Sequence, residues 1–246
     1  MFHSLGAKSL PQSQTTPAPL ARFRGDPIDR RAVRTILFDL LDRIVSTSPP
    51  EPVIEFGALR APTQTHLPSV RSVLAGFLYS GADMTPGVGV DQLQDLRQIG
   101  IRDSSIGTVL LLDTMEHVED PRAAIAELRR CMKPYGILLL TSHFYFPKHA
   151  YPYDYWRFTS DGILALLKDF PHAYAAEGGL RLFPHTVVGL GGGGELDDAT
   201  WERYVKAVDD WLKRGATSWK ERMLNLFPPV LAQMSYERYA RMERSQ

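Results

Sequence analysis

The 246-residue chain reads as a doubly wound α/β domain built on a mostly parallel sheet with helices on both faces. Three observations predict this. Val109 to Leu112 and Ile137 to Leu140 are short continuous apolar runs, the pattern of strands covered on both sides. Between them lies a helix with legible ends: Asp120 at its cap, Pro121 in its first turn, and Pro134 with Gly136 just past its end. Strand, helix, strand is a βαβ unit, and further strand-like and helix-like segments alternate on either side of it.

From Asp29 to Ile44 the apolar residues Val33, Ile36, Leu37, Leu40, Leu41 and Ile44 recur at spacings of three and four, one face of an amphipathic helix. Ser48-Pro49-Pro50 ends it. Val53 to Phe56 reads as a strand stopping at Gly57, and Phe77 to Ala82 as another stopping near Asp83. After Gly89 to Asp95 and the central unit, a helix runs from its cap Thr159 to Lys168 and is stopped by Phe170-Pro171. Arg181 to Leu190 forms the last strand, before the run Gly191 to Gly194. Residues 199 to 242 read as two or three helices carrying Trp201, Tyr204, Val208, Trp211 and Leu212, then Met223, Leu226, Phe227, Leu231 and Met234. A packing appendage is the first reading of this tail; a dimer interface, a substrate lid and a peripheral membrane contact are the others. The first twenty residues, rich in Ser, Gln, Thr and Pro, are expected to stay outside the core. The expected division is a mobile segment over 1–25, the α/β domain over 26–195 and a helical extension over 196–246.

Composition narrows the function. A 44% hydrophobic chain of this length buries one substantial core. Its 28 basic and 28 acidic residues cancel, so no global field favours nucleic acid or an anionic membrane, and no nucleic-acid partner is expected. The single cysteine, Cys131, excludes an internal disulfide and fits a reducing compartment. No stretch approaches the ~18 to 20 apolar residues of a spanning helix. A soluble cytoplasmic protein without stable membrane insertion is expected.

Open α/β sheets bind ligands beyond the carboxyl ends of their strands, and the residues there carry a resemblance. The order strand, DTMEHVEDP, helix, KPYG, strand resembles the centre of class I S-adenosylmethionine-dependent methyltransferases. FYFPKHAYPYDYWRFT, from Phe144 to Thr159, resembles a segment of one bacterial subgroup of that family. The match runs from about residue 53 to 194, including Val187-Val188-Gly189 near its end.

The resemblance implies a Rossmann-like sheet and S-adenosyl-L-methionine as cofactor. Glu55, Gly57 and Ala58 in EFGALRAP match the start of the family's glycine-rich loop, although Leu59 and Ala61 stand where its second and third glycines are usual. Asp83, followed by Met84, is implied to meet the ribose hydroxyls, and Asp95 the adenine amino group, with Leu96 offering an N–H and an apolar contact. Asp113, Thr114 and Met115 would floor the site near the sulfonium, while Glu116 and His117 shape the loop.

For the acceptor, Tyr151, Tyr153, Tyr155 and Trp156 are expected to wall a dry cavity and turn ring faces to the positive sulfur. Arg157 belongs to the same wall, or equally pairs with Asp154. Candidate bases are His143 first, then His149, with His117 and Asp154 behind them. No metal ligands are assigned. The expected reaction is methylation of a small molecule, most simply a hydroxyl of a glycan precursor or secondary metabolite; an amine or carboxylate would need no base. A homodimer through the C-terminal helices is the protein partner considered. The reading from a different class is a non-catalytic scaffold with a degenerate cofactor loop. A nicotinamide oxidoreductase would call for a G-x-G-x-x-G turn, which the chain lacks.

Overall fold

The computed structural model describes residues 30–60, 69–144, 146, 148, 153–180 and 183–215. His149, Tyr151 and the tail from residue 216 onward lie outside them. Seven strands, β1 (Val53–Phe56), β2 (Tyr79–Asp83), β3 (Gln92–Leu93), β4 (Ile106–Leu112), β5 (Met132–His143), β6 (His172–Leu180) and β7 (Phe183–Gly192), form one sheet in the order β3-β2-β1-β4-β5-β7-β6. β3, β2, β1, β4 and β5 run parallel, and β7 pairs antiparallel with both of its neighbours, β5 and β6. The sheet is doubly wound and mostly parallel, as predicted.

Helices cover both faces: α1 (Arg30–Val45), α2 (Val70–Val73) and α5 (Asp198–Gly215) on one, α3 (Pro121–Cys131) and α4 (Ser160–Leu166) on the other. Side-chain alternation divides the core. Val109, Leu111, Leu138 and Leu140 face Ile125 and Leu128 of α3 and Ile163 of α4, whereas Leu110, Leu112, Ile137 and Leu139 face Leu40, Leu41 and Ile44 of α1 and Tyr204, Val208 and Trp211 of α5. All seven residues of β4 are buried, which explains its unbroken apolar run.

The helix caps follow their sequence signals. The Asp120 carboxylate accepts from Arg122 N and Ala123 N, and Thr159 Oγ1 accepts from Gly162 N. Three elements differ from expectation. α3 ends at Cys131, and β5 begins at the next residue, so Pro134 and Gly136 lie inside a strand and not in a turn. Gly136 is needed there because a Cβ would stand 2.9 Å from the carbonyl oxygens of Gly107 and Lys133. α4 stops at Leu166, two residues early. Strand β6 was not anticipated, because HAYAAEGGL offers few β-branched side chains. Its small residues make room: a Cβ on Gly178 would meet the Trp211 ring at 2.9 Å.

No helix among the described residues is long and apolar enough to cross a membrane.

Candidate functional site

Strand order reverses direction of growth between β1 and β4, so the crevice beyond their carboxyl ends is where a doubly wound sheet accommodates a ligand. Gly57 follows β1 with φ +81°, and a Cβ there would lie 2.2 Å from Thr114 Oγ1. Thr114, following β4, bridges the gap by directing its hydroxyl at Leu112 O and Phe56 O, at 3.0 and 3.3 Å. Asp113 is held at φ +49°, a left-handed conformation unusual for a non-glycine residue.

The loop after β1 lies against the loop after β2. Ala58 N donates to Ala82 O, Leu59 N to Asp83 Oδ2 and Arg60 N to Val88 O. Asp83 also accepts from Thr85 N through Oδ1. The glycines that permit this approach stand on the facing strand and loop. A Cβ on Gly81 would lie 2.1 Å from Gly89 O, one on Gly87 2.4 Å from Leu59 Cδ1, and one on Gly89 2.4 Å from Ala58 O. The close approach of Ala58 and Leu59 is thus made possible by glycines of GADMTPGVG, on the strand and loop that face them.

Other implied donor-site residues are placed less simply. Glu55 accepts from the Tyr79 hydroxyl, on the sheet face shared with Val53 and α2. Met84 is exposed at the end of β2 and Leu96 is partly buried against the core. Asp95 is held bidentately by Arg97, at 2.9 and 3.1 Å, and this guanidinium holds its carboxyl below the usual range. Arg97 also lies 3.6 Å from Glu119. Met115 is fully buried in the core, so its side chain does not face the crevice as the sequence reading had it; Asp113 and Thr114, both half-buried, are the residues of that turn that can.

A polar cluster gathers where β4 and β5 end. A single 3-10 turn, Met115–His117, sets Glu116 back against β5, where Ser142 Oγ donates to Glu116 Oε2 at 2.8 Å. Glu116 Oε1 lies 3.4 Å from His143 Nε2. Thr141 Oγ1 donates to Asp113 Oδ1 at 2.9 Å. Burial, with the Asp113 carboxylate as second cause, pushes the Glu116 carboxyl up to about 8. Burial also lowers the His143 imidazole below its ordinary value, keeping it neutral near pH 7. Sequence reasoning gave Glu116 only a loop-shaping part. The available signal was its spacing of three from Asp113, with His143 on the neighbouring strand.

The aromatic segment is clamped onto this turn. Tyr155 N and Trp156 N both donate to Glu116 O, Trp156 Nε1 donates to Val118 O, and His117 Nδ1 lies 2.7 Å from Tyr153 O. The Tyr153 and Tyr155 rings stack at 5.3 Å. These two rings and Trp156 are 40 to 59% exposed, so among the described residues they form an open wall, in place of the expected dry cavity. Asp154 and Arg157 form the ion pair, at 2.5 and 2.7 Å, with the Asp154 side chain 2% exposed. A carboxylate so engaged is poorly placed to take a proton from an acceptor.

Residues 81–140 match the methyltransferase domain family, a segment running from within β2 to within β5. The chain matches no curated protein. Among solved structures, it resembles an S-adenosylmethionine-dependent methyltransferase from Thermotoga maritima described as a possible histamine N-methyltransferase, at 15% identity over 65% of this chain and 91% of that one, TM-score 0.49. An S-adenosylmethionine-dependent methyltransferase from Mesorhizobium loti is similar at 11% identity, 65% and 99% coverage and TM-score 0.49. The trans-methyltransferase CalH, in complex with S-adenosylhomocysteine, is similar at 14% identity, 64% and 54% coverage and TM-score 0.48.

Proposed function

Because residues 81–140 match the methyltransferase domain family, we propose that the chain is a class I S-adenosylmethionine-dependent methyltransferase and that it methylates a hydroxyl of a small, neutral, polar molecule such as a glycan precursor or secondary metabolite. When bound, S-adenosylmethionine supplies a methyl carbon on a positively charged sulfur. The residues present fit such a donor. Gly57 and Ala58 turn the first loop, Asp83 keeps lone pairs beyond the two N–H groups it accepts, and Met84 is exposed beside it. Leu96 adds apolar surface, while Asp95 would share its carboxylate between Arg97 and the ligand. Asp113 and Thr114 line the gap between β1 and β4.

The observation that carries the acceptor class is His143: a buried imidazole, neutral at physiological pH, beside Asp113. A hydroxyl acceptor has a proton to lose as its oxygen attacks the methyl carbon, and a neutral imidazole at the site is the group through which it leaves. The exposed rings of Tyr153, Tyr155 and Trp156 offer flat apolar faces with hydroxyl and N–H edges, which suits a sugar-like ring better than a polyanion.

Incubation with radiolabelled S-adenosylmethionine and separate pools of neutral polyhydroxylated compounds, amines and carboxylic acids tests this. Label transferred to the hydroxyl pool, and reduced in His143→Asn, is expected. Transfer confined to amines or acids would overturn the reading.

A further inference from the structure

Among the described residues, Glu116 Oε1 is the only buried carboxylate oxygen with no hydrogen-bond partner, and the Glu116 side chain is fully buried. An oxygen in that position costs stability unless something balances it. Asp113, Glu116 and His143 each offer one ligand atom, and these atoms lie within 4.8 Å of one another. We propose that these three residues bind one divalent metal ion.

Donors about 2.0 to 2.2 Å from a common cation stand roughly 3 to 4.4 Å apart, and the 3.4 Å from His143 Nε2 to Glu116 Oε1 falls in that range. Two carboxylates cancel the charge of a divalent ion. Adding an imidazole nitrogen favours Mn²⁺, Fe²⁺ or Zn²⁺ over Ca²⁺. The carboxylates are already oriented from behind, Asp113 by the Thr141 hydroxyl and Glu116 by the Ser142 hydroxyl, the outer contacts that hold metal ligands in place. All three residues stand at strand ends or on the short turn between them. Asp113, half-buried, leads from the cluster towards the crevice, and three protein ligands leave coordination positions for an acceptor oxygen. A cation there lowers the pKa of a coordinated hydroxyl, easing the same proton loss that the metal-free site makes through the His143 imidazole. This catalytic meaning rests on the hydroxyl reading above; the binding site itself does not.

The test is titration of the full chain with Mn²⁺, following free Mn²⁺ by electron paramagnetic resonance without donor or acceptor, with Zn²⁺ and Mg²⁺ as competitors. About one equivalent is expected to bind with micromolar affinity, weakened by about 100-fold or more in Glu116→Gln. The amide keeps the acceptor for Ser142, and the thermal unfolding midpoint of the variant checks that its fold is intact. No saturable binding up to millimolar Mn²⁺, or unchanged affinity in a folded Glu116→Gln, would overturn the site. S-adenosylhomocysteine binding measured on the same sample separates the two readings: retained cofactor binding without Mn²⁺ binding sinks the metal site alone and leaves a proton as the balancing charge.

Discussion

Gly57 carries the tightest constraint in the crevice. Its φ of +81° is costly for any residue with a Cβ, and that Cβ would lie 2.2 Å from Thr114 Oγ1. Gly57→Ala is therefore expected to destabilise the protein by about 2 kcal/mol or more. Chemical denaturation reads this directly; a midpoint equal to wild type would mean that the loop is not held against Thr114. The turn at Gly57 was legible as a glycine after an apolar run. Its partner was not, because Thr114 is 57 positions away and only strand order brings it near. His143 was likewise legible as a histidine at a strand end. The burial of Glu116 was not, since it depends on the turn lying back against β5 and on Tyr155 and Trp156 bonding to its carbonyl.

The connection from β2 to β3 shows how one side chain organises two elements. Asp91 Oδ2 accepts from Gly81 N at 2.8 Å and from Arg71 Nη2 at 2.5 Å, tying β2, the following loop and α2 together. The Gly81 N–H, and after it the Arg71 guanidinium, hold the Asp91 carboxyl below its ordinary value. The unfolded chain then binds this proton at higher pH than the native one, so the contribution is fully present above the ordinary aspartate range and is lost as pH falls through the lowered value. Asp91 is partly exposed, so the effect stays within about 1 kcal/mol. Asp91→Asn is expected to be less stable than wild type at pH 7, with the gap closing in melts taken progressively below pH 4. A gap independent of pH would point to lost hydrogen-bond geometry and not to charge. At this scale the sequence announced the capped helix α3 and the buried strands β4 and β5. It concealed β6, whose alanines and glycines fit beneath α5 for reasons of space and not of strand propensity.

Across the whole molecule, α5 is part of the protein's second core. Tyr204, Val208 and Trp211 are buried with Leu40, Leu41 and Ile44 of α1, so the first and last described helices close the same face of the sheet. An amphipathic helix after a glycine run announces an apolar stripe but not what covers it. The crevice lies at the strand ends, away from both helical layers, and is lined by the loops after β1, β2, β4 and β5. The motif order was readable along the chain because the motifs after β1, β4 and β5 follow largely buried strands. The state of each side chain was not: Asp95 is shared with Arg97, Asp154 is paired with Arg157, and Met115 turns into the core.

We propose that a first loop with only one glycine, closed by glycines on the facing strand and loop, holds the methyl donor. Calorimetric titration of the purified chain with S-adenosylhomocysteine, with NAD as the control, tests it most directly. The account predicts saturable micromolar binding of S-adenosylhomocysteine and none of NAD, with S-adenosylhomocysteine affinity sharply reduced in Gly89→Ala, where the added methyl would meet Ala58 O at 2.4 Å. Absence of binding up to millimolar concentration in a folded protein would contradict it.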